Sequence, residues 1–169
     1  SDENETRKLL TTAYLHNGPA SVRYPRGTGP NSKIDKDLKP LNIGEANIIN
    51  EESSEIVILN FGTLLNEANE ISKELKATLV DMRFVKPLDE KLLKKLLKKA
   101  EVFISIEDGS IMGGAGSAVQ EFVSNENLKV RSILFGIPDR FIEHASREEM
   151  LIEAGLDIKS IKSKLSKLL

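Results

Sequence analysis

Two arginines lie close together in a stiff stretch near the start of the chain. Arg23 and Arg26 both belong to residues 22–27 (VRYPRG). Proline fixes φ and glycine permits tight backbone paths, so this stretch can aim the Arg26 side chain from a rigid base. A guanidinium group presents a planar fork of donors that matches phosphate oxygens. The residues alone leave two interpretations of Arg26 open, a phosphate-binding residue or a structural salt bridge.

Two acidic residues and a run of glycines follow a predicted strand. Glu107 and Asp108 come directly after the strand, and residues 113–116 (GGAG) precede a predicted helix. Two carboxylates without a histidine or metal partner are weak evidence for acid–base chemistry. We therefore expect a carboxylate here to cap the following turn or helix. The glycine run fits neither a dinucleotide fingerprint nor a P-loop. It predicts close packing of the helix start against the sheet or a second subunit, with an anion cradle as the alternative.

Other chemistry finds little support in the sequence. The chain has no cysteine, which excludes disulfides and thiolate metal sites. The two histidines, His16 and His144, have no nucleophile partner at a recognisable spacing, and no G-x-S-x-G elbow is present. We expect His144 to cap or pack near the last helices. No catalytic, cofactor-binding or metal-binding residue is predicted.

The composition indicates a globular domain with a proper core. The 169 residues are 40% hydrophobic and 30% charged, and the net charge of −2 argues against a nucleic-acid partner. Five lysines in residues 91–99 are flanked by acidic residues and predict a solvated helix face. No stretch approaches the roughly 20 apolar residues of a membrane span, and no signal peptide is visible. These features predict a cytoplasmic location without a membrane partner.

The first part of the chain differs in pattern from the rest. Apolar residues from Leu9 to Tyr14 predict a helix behind a cap at Ser1 or Asp2, and residues 17–19 (NGP) end it. A short strand is predicted over residues 20–24. Residues 28–40 are almost free of apolar side chains and predict a linker. We therefore expect a domain boundary, with residues 1–41 on one side and 42–169 on the other. Because the chain lacks an initial methionine, we also expect it to be part of a larger polypeptide.

Beyond the linker, predicted strands and helices alternate. The strands are residues 46–49, 56–61, 78–81, 102–106 and 130–134. The helices are residues 64–75, one capped by Asp89, one from the glycine run to about residue 124, one opened by Ser146 and one from Asp157 to Leu169. This alternation predicts βαβ crossovers, and so an α/β fold of three layers (α/β/α) with a mostly parallel sheet.

Several segments together resemble the 1-deoxy-D-xylulose-5-phosphate synthases, a family of transketolase type. They occur in the expected order over nearly the whole chain, and transketolases and 2-oxoacid dehydrogenase β-subunits have looser versions of them. The segments are residues 1–5 (SDENE), 22–27 (VRYPRG), 59–64 (LNFGTL), 80–89 (VDMRFVKPLD), Glu107 with 111–118 (IMGGAGSA), 136–144 (GIPDRFIEH) and 146–149 (SREE).

The resemblance implies a division of labour within a longer enzyme. Residues 1–41 would be the tail of a central pyrimidine-binding domain plus a linker, and residues 42–169 a transketolase-type C-terminal domain. The family joins pyruvate to D-glyceraldehyde 3-phosphate with loss of CO₂, for isoprenoid, thiamine and pyridoxal biosynthesis. It uses thiamine diphosphate and Mg²⁺, which the resemblance assigns to other domains. This chain alone is therefore expected to bind no cofactor and to be inactive.

The resemblance also implies roles for particular residues and partners. The arginine at the position of Arg26 contacts the phosphate of glyceraldehyde phosphate, which favours phosphate binding over a salt bridge. Arg23 is expected to have a structural role. The full-length enzyme would be a homodimer, with residues 111–114 as a candidate contact. Three alternatives stay open: the matching part of a transketolase, of a 2-oxoacid dehydrogenase β-subunit, or a free-standing protein-binding adaptor.

Overall fold

Helices and strands alternate from residue 47 onward, as the sequence predicts. The computed structural model describes the backbone of residues 1–169 and every side chain except those of Ser53 and Ser54. The elements are α1 (Glu3–Leu15), β1 (Asn47–Asn50), β2 (Ser53–Phe61), α2 (Leu65–Leu75), β3 (Ala77–Asp81), α3 (Glu90–Leu97), β4 (Val102–Ser110), α4 (Ala115–Asn125), β5 (Arg131–Ile137), α5 (Arg147–Ala154) and α6 (Ile158–Leu168). No helix among them is both long and apolar enough to cross a membrane in the described chain.

The strands form one mostly parallel sheet in the order β1-β3-β2-β4-β5. Strand β1 pairs antiparallel with β3 at one edge, and the remaining pairs are parallel. The carboxyl ends of the four parallel strands therefore meet at the same edge of the sheet. This edge is where functional groups gather in open α/β sheets.

Apolar helix faces cover both sides of the sheet and give the three predicted layers. Ile58 on β2 packs with Ile71 of α2 in one buried cluster, to which α6 contributes. The preceding residue, Val57, points to the opposite face and packs with Leu93 of α3 in a second cluster, to which α4 contributes. Because successive strand residues face opposite ways, the continuous apolar run of β2 supplies both cores.

The predicted helix caps are confirmed. Asp89 accepts a hydrogen bond from the Leu92 N–H at 2.9 Å, and Asp2 and Asp157 cap α1 and α6 in the same way. Ser146 and Glu149 form a reciprocal capping box at the start of α5. Each such cap contributes about 1 kcal/mol by satisfying backbone N–H groups at the helix start. The lysines of residues 91–99 are exposed, as predicted for a solvated face.

The strand predicted for residues 20–24 is wrong, because this segment is irregular. A strand needs a neighbour to accept its backbone hydrogen bonds, and the described chain places no strand beside it. Residues 28–40 also lack helix and strand. Helix α1 is nevertheless fixed to the sheet, since Arg83 after β3 contacts Glu5 with 2.7 Å between Nε and Oε2.

Candidate functional site

A cleft of about 660 Å³ lies between the carboxyl edge of the sheet, α1 and residues 22–30. Its wall combines polar side chains from both parts of the chain with the apolar residues Leu9, Leu10 and Val22. The polar side chains that line it include those of Arg23, Thr63, Asp108 and Arg147. Residues far apart in sequence therefore share one concave surface.

Asp108 is the centre of the polar network in the cleft. Arg23 donates from Nη1 to its Oδ1 at 2.6 Å and from Nη2 to its backbone carbonyl at 2.8 Å. Thr63 donates from Oγ1 to the other carboxylate oxygen, Oδ2, at 2.7 Å. The parallel register explains the second contact. Phe61 on β2 pairs with Glu107 on β4, which brings Thr63, just after β2, close to Asp108, the next residue of β4.

Arg147 extends this network from the start of α5. Its Nη2 donates to Thr63 Oγ1 at 2.6 Å, which leaves the threonine hydrogen for Asp108. A cation in the first turn of a helix is unfavourable with respect to the helix dipole. The hydrogen bond to Thr63 and the nearby carboxylate offset that cost. The chain of contacts therefore runs from Arg147 through Thr63 and Asp108 to Arg23.

Asp108 is held as a carboxylate. Burial acts to raise its pKa, but the hydrogen bonds from Arg23 and Thr63, with the charges of Arg23 and Arg147, outweigh this effect and hold the pKa below its ordinary value. An ionised carboxylate is an acceptor only. Asp108 is therefore suited to binding and orienting cations at neutral pH, and not to donating a proton.

Arg26 lies at the rim of the cleft. Its neighbours Pro25 and Gly27 line the cleft, whereas Arg26 is exposed and is not one of the lining residues. Arg147 is close by, since a Cβ on Gly27 would lie 4.0 Å from its Cδ. Arg26 makes no hydrogen bond or ion pair with the side chains that the structure describes. The structural salt bridge belongs to Arg23, and the Arg26 guanidinium is available to a ligand.

Glu107 has the capping role that the sequence predicts. The side chain is 5% exposed. Its Oε2 and Oε1 accept hydrogen bonds from the N–H groups of Ala115 and Gly116, each at 2.9 Å. This carboxylate already occupies the N-terminus of α4, so these two N–H groups are not open to another anion. The glycine run therefore does not form the anion cradle that the sequence left as an alternative.

The glycine run allows the close packing that the sequence predicts. A Cβ on Gly114 would lie 2.0 Å from the Ser110 carbonyl oxygen, and one on Gly116 would lie 2.4 Å from Ser105 Oγ. Only glycine fits either position without a shift in the backbone or side chain opposite. The start of α4 is thereby held directly against β4.

His144 does not cap a helix, so the capping alternative of this prediction is wrong. It is exposed in the loop before α5, and Ser146 caps that helix instead. A serine two residues further on competes better, because its short hydroxyl reaches the N–H of Glu149.

The side chains that the structure describes do not fit the Mg²⁺ that accompanies thiamine diphosphate. Within the described side chains, no group of three or more His, Cys, Asp or Glu residues is placed to hold a metal ion. Mg²⁺ requires several oxygen ligands around one point, and the carboxylates that line the cleft, those of Asp2, Glu3, Glu67 and Asp108, are not grouped in that way.

The fold and cleft define a transketolase-type α/β domain. The model of the transketolase C-terminal domain family matches residues 44–161. The chain belongs to this family.

The chain is about 50% identical to individual relatives over nearly its whole length. The chain is 52% identical over 161 residues to the 1-deoxy-D-xylulose-5-phosphate synthase of Pseudomonas aeruginosa, covering 95% of this chain and 26% of that protein. The Pseudomonas fluorescens synthase is 50% identical over 157 residues, covering 93% of this chain and 25% of the relative. The chain thus spans about a quarter of the length of these relatives.

Solved structures support the same fold. A split-gene transketolase described as an inactive beta4 tetramer matches with a TM-score of 0.68 and 25% identity, over 85% of this chain and 46% of that chain. The transketolase of Campylobacter jejuni matches with a TM-score of 0.52 and 20% identity, over 77% of this chain and 21% of that one. The second likeness concerns the fold alone.

Sequence reasoning missed the grouping of Thr63, Asp108 and Arg147. Arg23 and Asp108 are 85 residues apart, and Thr63 and Arg147 are 84 apart, so no local spacing links them. Two signals were available. Asp108 comes shortly after the apolar part of β4, and Arg147 is a cation at a helix start, where a positive charge is disfavoured unless it has a partner.

Proposed function

We propose that this chain is the C-terminal part of a 1-deoxy-D-xylulose-5-phosphate synthase. The full-length form would make 1-deoxy-D-xylulose 5-phosphate and CO₂ from pyruvate and D-glyceraldehyde 3-phosphate. It would use thiamine diphosphate and Mg²⁺ bound by its other domains, in a cytoplasmic homodimer. The observation that supports this most is about 50% identity to such synthases over nearly the whole chain. The isolated chain would lack the cofactor site and turn over no pyruvate.

Arg26 is the residue of this chain that would bind the substrate. Its exposed guanidinium stands at the rim of the cleft, and Arg23 takes the nearby carboxylate as its own partner. A phosphate monoester carries about two negative charges at neutral pH and offers several acceptor oxygens. The two matching N–H donors of one guanidinium can bind two of those oxygens together. The role supports affinity and orientation of the aldehyde, while the carbanion chemistry belongs to the cofactor.

Replacing Arg26 in the full-length enzyme tests this role. Arg26→Ala should lower kcat/KM for glyceraldehyde 3-phosphate by roughly 10- to 100-fold, the size of one lost charge-assisted hydrogen bond. The variant should also discriminate less between phosphorylated and unphosphorylated glyceraldehyde. Arg140→Ala is the matched control, because Arg140 is an exposed arginine paired with Glu153. An unchanged kcat/KM in Arg26→Ala would remove Arg26 from the substrate site.

A transketolase is the second candidate, because the split-gene transketolase matches 85% of this chain at 25% identity. Steady-state assays of the full-length protein separate the two functions. Formation of 1-deoxy-D-xylulose 5-phosphate from pyruvate and glyceraldehyde 3-phosphate supports the synthase. Transfer of a two-carbon unit from a ketose phosphate, without use of pyruvate, supports the transketolase.

A further inference from the structure

The cleft contains a contact that joins the two predicted parts of the chain at the segment carrying Arg26. Arg23 grips Asp108 twice, through the carboxylate at 2.6 Å and through the backbone carbonyl at 2.8 Å. Asp108 is the fixed member of the pair, since its side chain is 11% exposed and that of Arg23 is 65% exposed. Thr63 holds the second carboxylate oxygen from the other side. The carboxylate is thereby fixed in orientation before Arg23 binds it.

The backbone between Arg23 and Arg26 is short and stiff. Only Tyr24 and Pro25 lie between the two arginines, and Pro25 fixes its own φ and disfavours helical geometry at Tyr24. A segment of three residue steps spans at most about 10 Å, so fixing one end strongly limits where the other end can point. The segment has no strand neighbour in the described chain, so the sheet ladder does not hold it in place. The hydrogen bonds from Arg23 to Asp108 hold the segment in place instead.

We infer that Asp108 is a positioning residue for substrate phosphate, acting through Arg23 to hold residues 22–27 so that Arg26 meets the phosphate group. This inference rests on the proposed function. Thr63 and Arg147 stabilise the same arrangement, because Thr63 is hydrogen-bonded both to Arg147 and to the Asp108 carboxylate. The C-terminal domain thus contributes to substrate affinity through a residue that does not touch the substrate.

Asp108→Asn in the full-length enzyme is the first test. The substitution keeps the shape of the side chain and removes its charge, so it should raise KM for glyceraldehyde 3-phosphate by about 3- to 10-fold and change kcat by less than about 2-fold. The KM for unphosphorylated glyceraldehyde should stay the same, a difference that general loosening of the fold would not produce. Glu153→Gln is the matched control. It weakens a pair of the same geometry, in which Arg140 donates to the Glu153 carboxylate at 2.7 Å and to its carbonyl at 2.9 Å.

A double-mutant cycle shows whether Asp108 acts through Arg23. We expect Arg23→Gln and Asp108→Asn to raise KM by similar factors, and the double variant to match either one, because both remove the ion pair between the guanidinium and the carboxylate. Since Arg23 is the exposed member, Arg23→Gln keeps the test valid if Asp108→Asn lowers the melting temperature. A double variant whose KM equals the product of the two single effects would overturn the inference, as would Asp108→Asn with an unchanged KM.

The Arg26→Ala assay separates failure of the inference from failure of the proposed function. If Arg26→Ala raises KM and Asp108→Asn does not, the positioning role is wrong and the phosphate-binding role stands. If neither Arg26→Ala nor Asp108→Asn affects phosphate discrimination, both are overturned. Asp108→Asn that impairs both aldehydes equally would indicate a structural contact only and would also overturn the positioning role.

Discussion

At the scale of single residues, Asp108 and Glu107 show how neighbouring carboxylates acquire separate tasks. Glu107 points into the protein and satisfies two backbone N–H groups of α4. Asp108 points into the cleft and binds Arg23 and Thr63. Adjacent residues at the end of a strand face opposite ways, which accounts for the division. One carboxylate secures the fold and the other faces the site.

The lowered pKa of Asp108 predicts a specific pH dependence of stability. A carboxyl group whose pKa is lower in the folded state stabilises that state above its unfolded pKa of about 3.9, and this contribution is lost as the pH falls through the folded pKa. The difference in unfolding free energy between wild type and Asp108→Asn should therefore be constant from neutral pH to about pH 4 and shrink at lower pH. Urea unfolding at a series of pH values measures it. A difference that persists unchanged down to about pH 2 would contradict the lowered pKa.

At the scale of elements, the start of α4 depends on the missing side chain of Gly114. A Cβ there would meet the Ser110 carbonyl oxygen at 2.0 Å and the Glu107 carboxylate at 2.6 Å. Gly114→Ala should therefore destabilise the chain by about 1–3 kcal/mol, the usual cost of overpacking. Thermal and urea unfolding check this value.

The neighbouring glycine provides the control for this prediction. Gly113 has φ of +68°, and a Cβ added there would meet no atom within 4 Å, so Gly113→Ala adds only backbone strain of about 1 kcal/mol. Gly114 has φ of −81°, which alanine adopts without strain, so a loss of stability in Gly114→Ala no larger than that in Gly113→Ala would show that contact with Ser110 is not the main cost.

The elements that could be predicted from the sequence are those with local causes. Asp89, Ser146 and Asp157 reveal their helices because a cap lies within three residues of its partner. The apolar run of β2 likewise indicates a strand covered on both faces. The prediction of a strand over residues 20–24 is wrong because a strand needs a neighbouring strand to pair with, and the local pattern does not show whether one is present.

The cleft itself could be predicted only in part, because register and strand order create it. Arg26 stands out in the sequence through its rigid neighbours and its resemblance to a known segment. Thr63 meets Asp108 only because Phe61 pairs with Glu107 in a parallel register. No spacing along the chain encodes that pairing. The antiparallel edge strand β1 was equally outside what alternation of elements predicts.

At the scale of the whole molecule, the exposed turn before α4 is the candidate dimer contact. Met112 is 66% exposed there, so its apolar side chain is accessible to a second subunit. Met112→Glu should weaken or abolish the homodimer proposed for the full-length protein, because burying an unpaired charge is costly. Analytical ultracentrifugation over a range of concentrations measures the change.

Met112 is a better position for this test than Gly114, which is closely packed. A large residue at Gly114 would disrupt the start of α4 and could not report on assembly alone. Met150→Glu offers a control at a less exposed methionine outside this turn. A full-length Met112→Glu protein that stays dimeric at every concentration would move the contact away from residues 111–114.

The contacts from Arg147 through Thr63 and Asp108 to Arg23 have an evolutionary consequence. They connect the beginning of α5, late in the chain, to the segment that would hold substrate near its beginning. Natural variation in that late region can thus tune how tightly an enzyme grips its aldehyde, while every group that performs the carbon chemistry stays unaltered. Affinity and catalytic power would then be free to adapt separately, each through its own set of amino-acid changes.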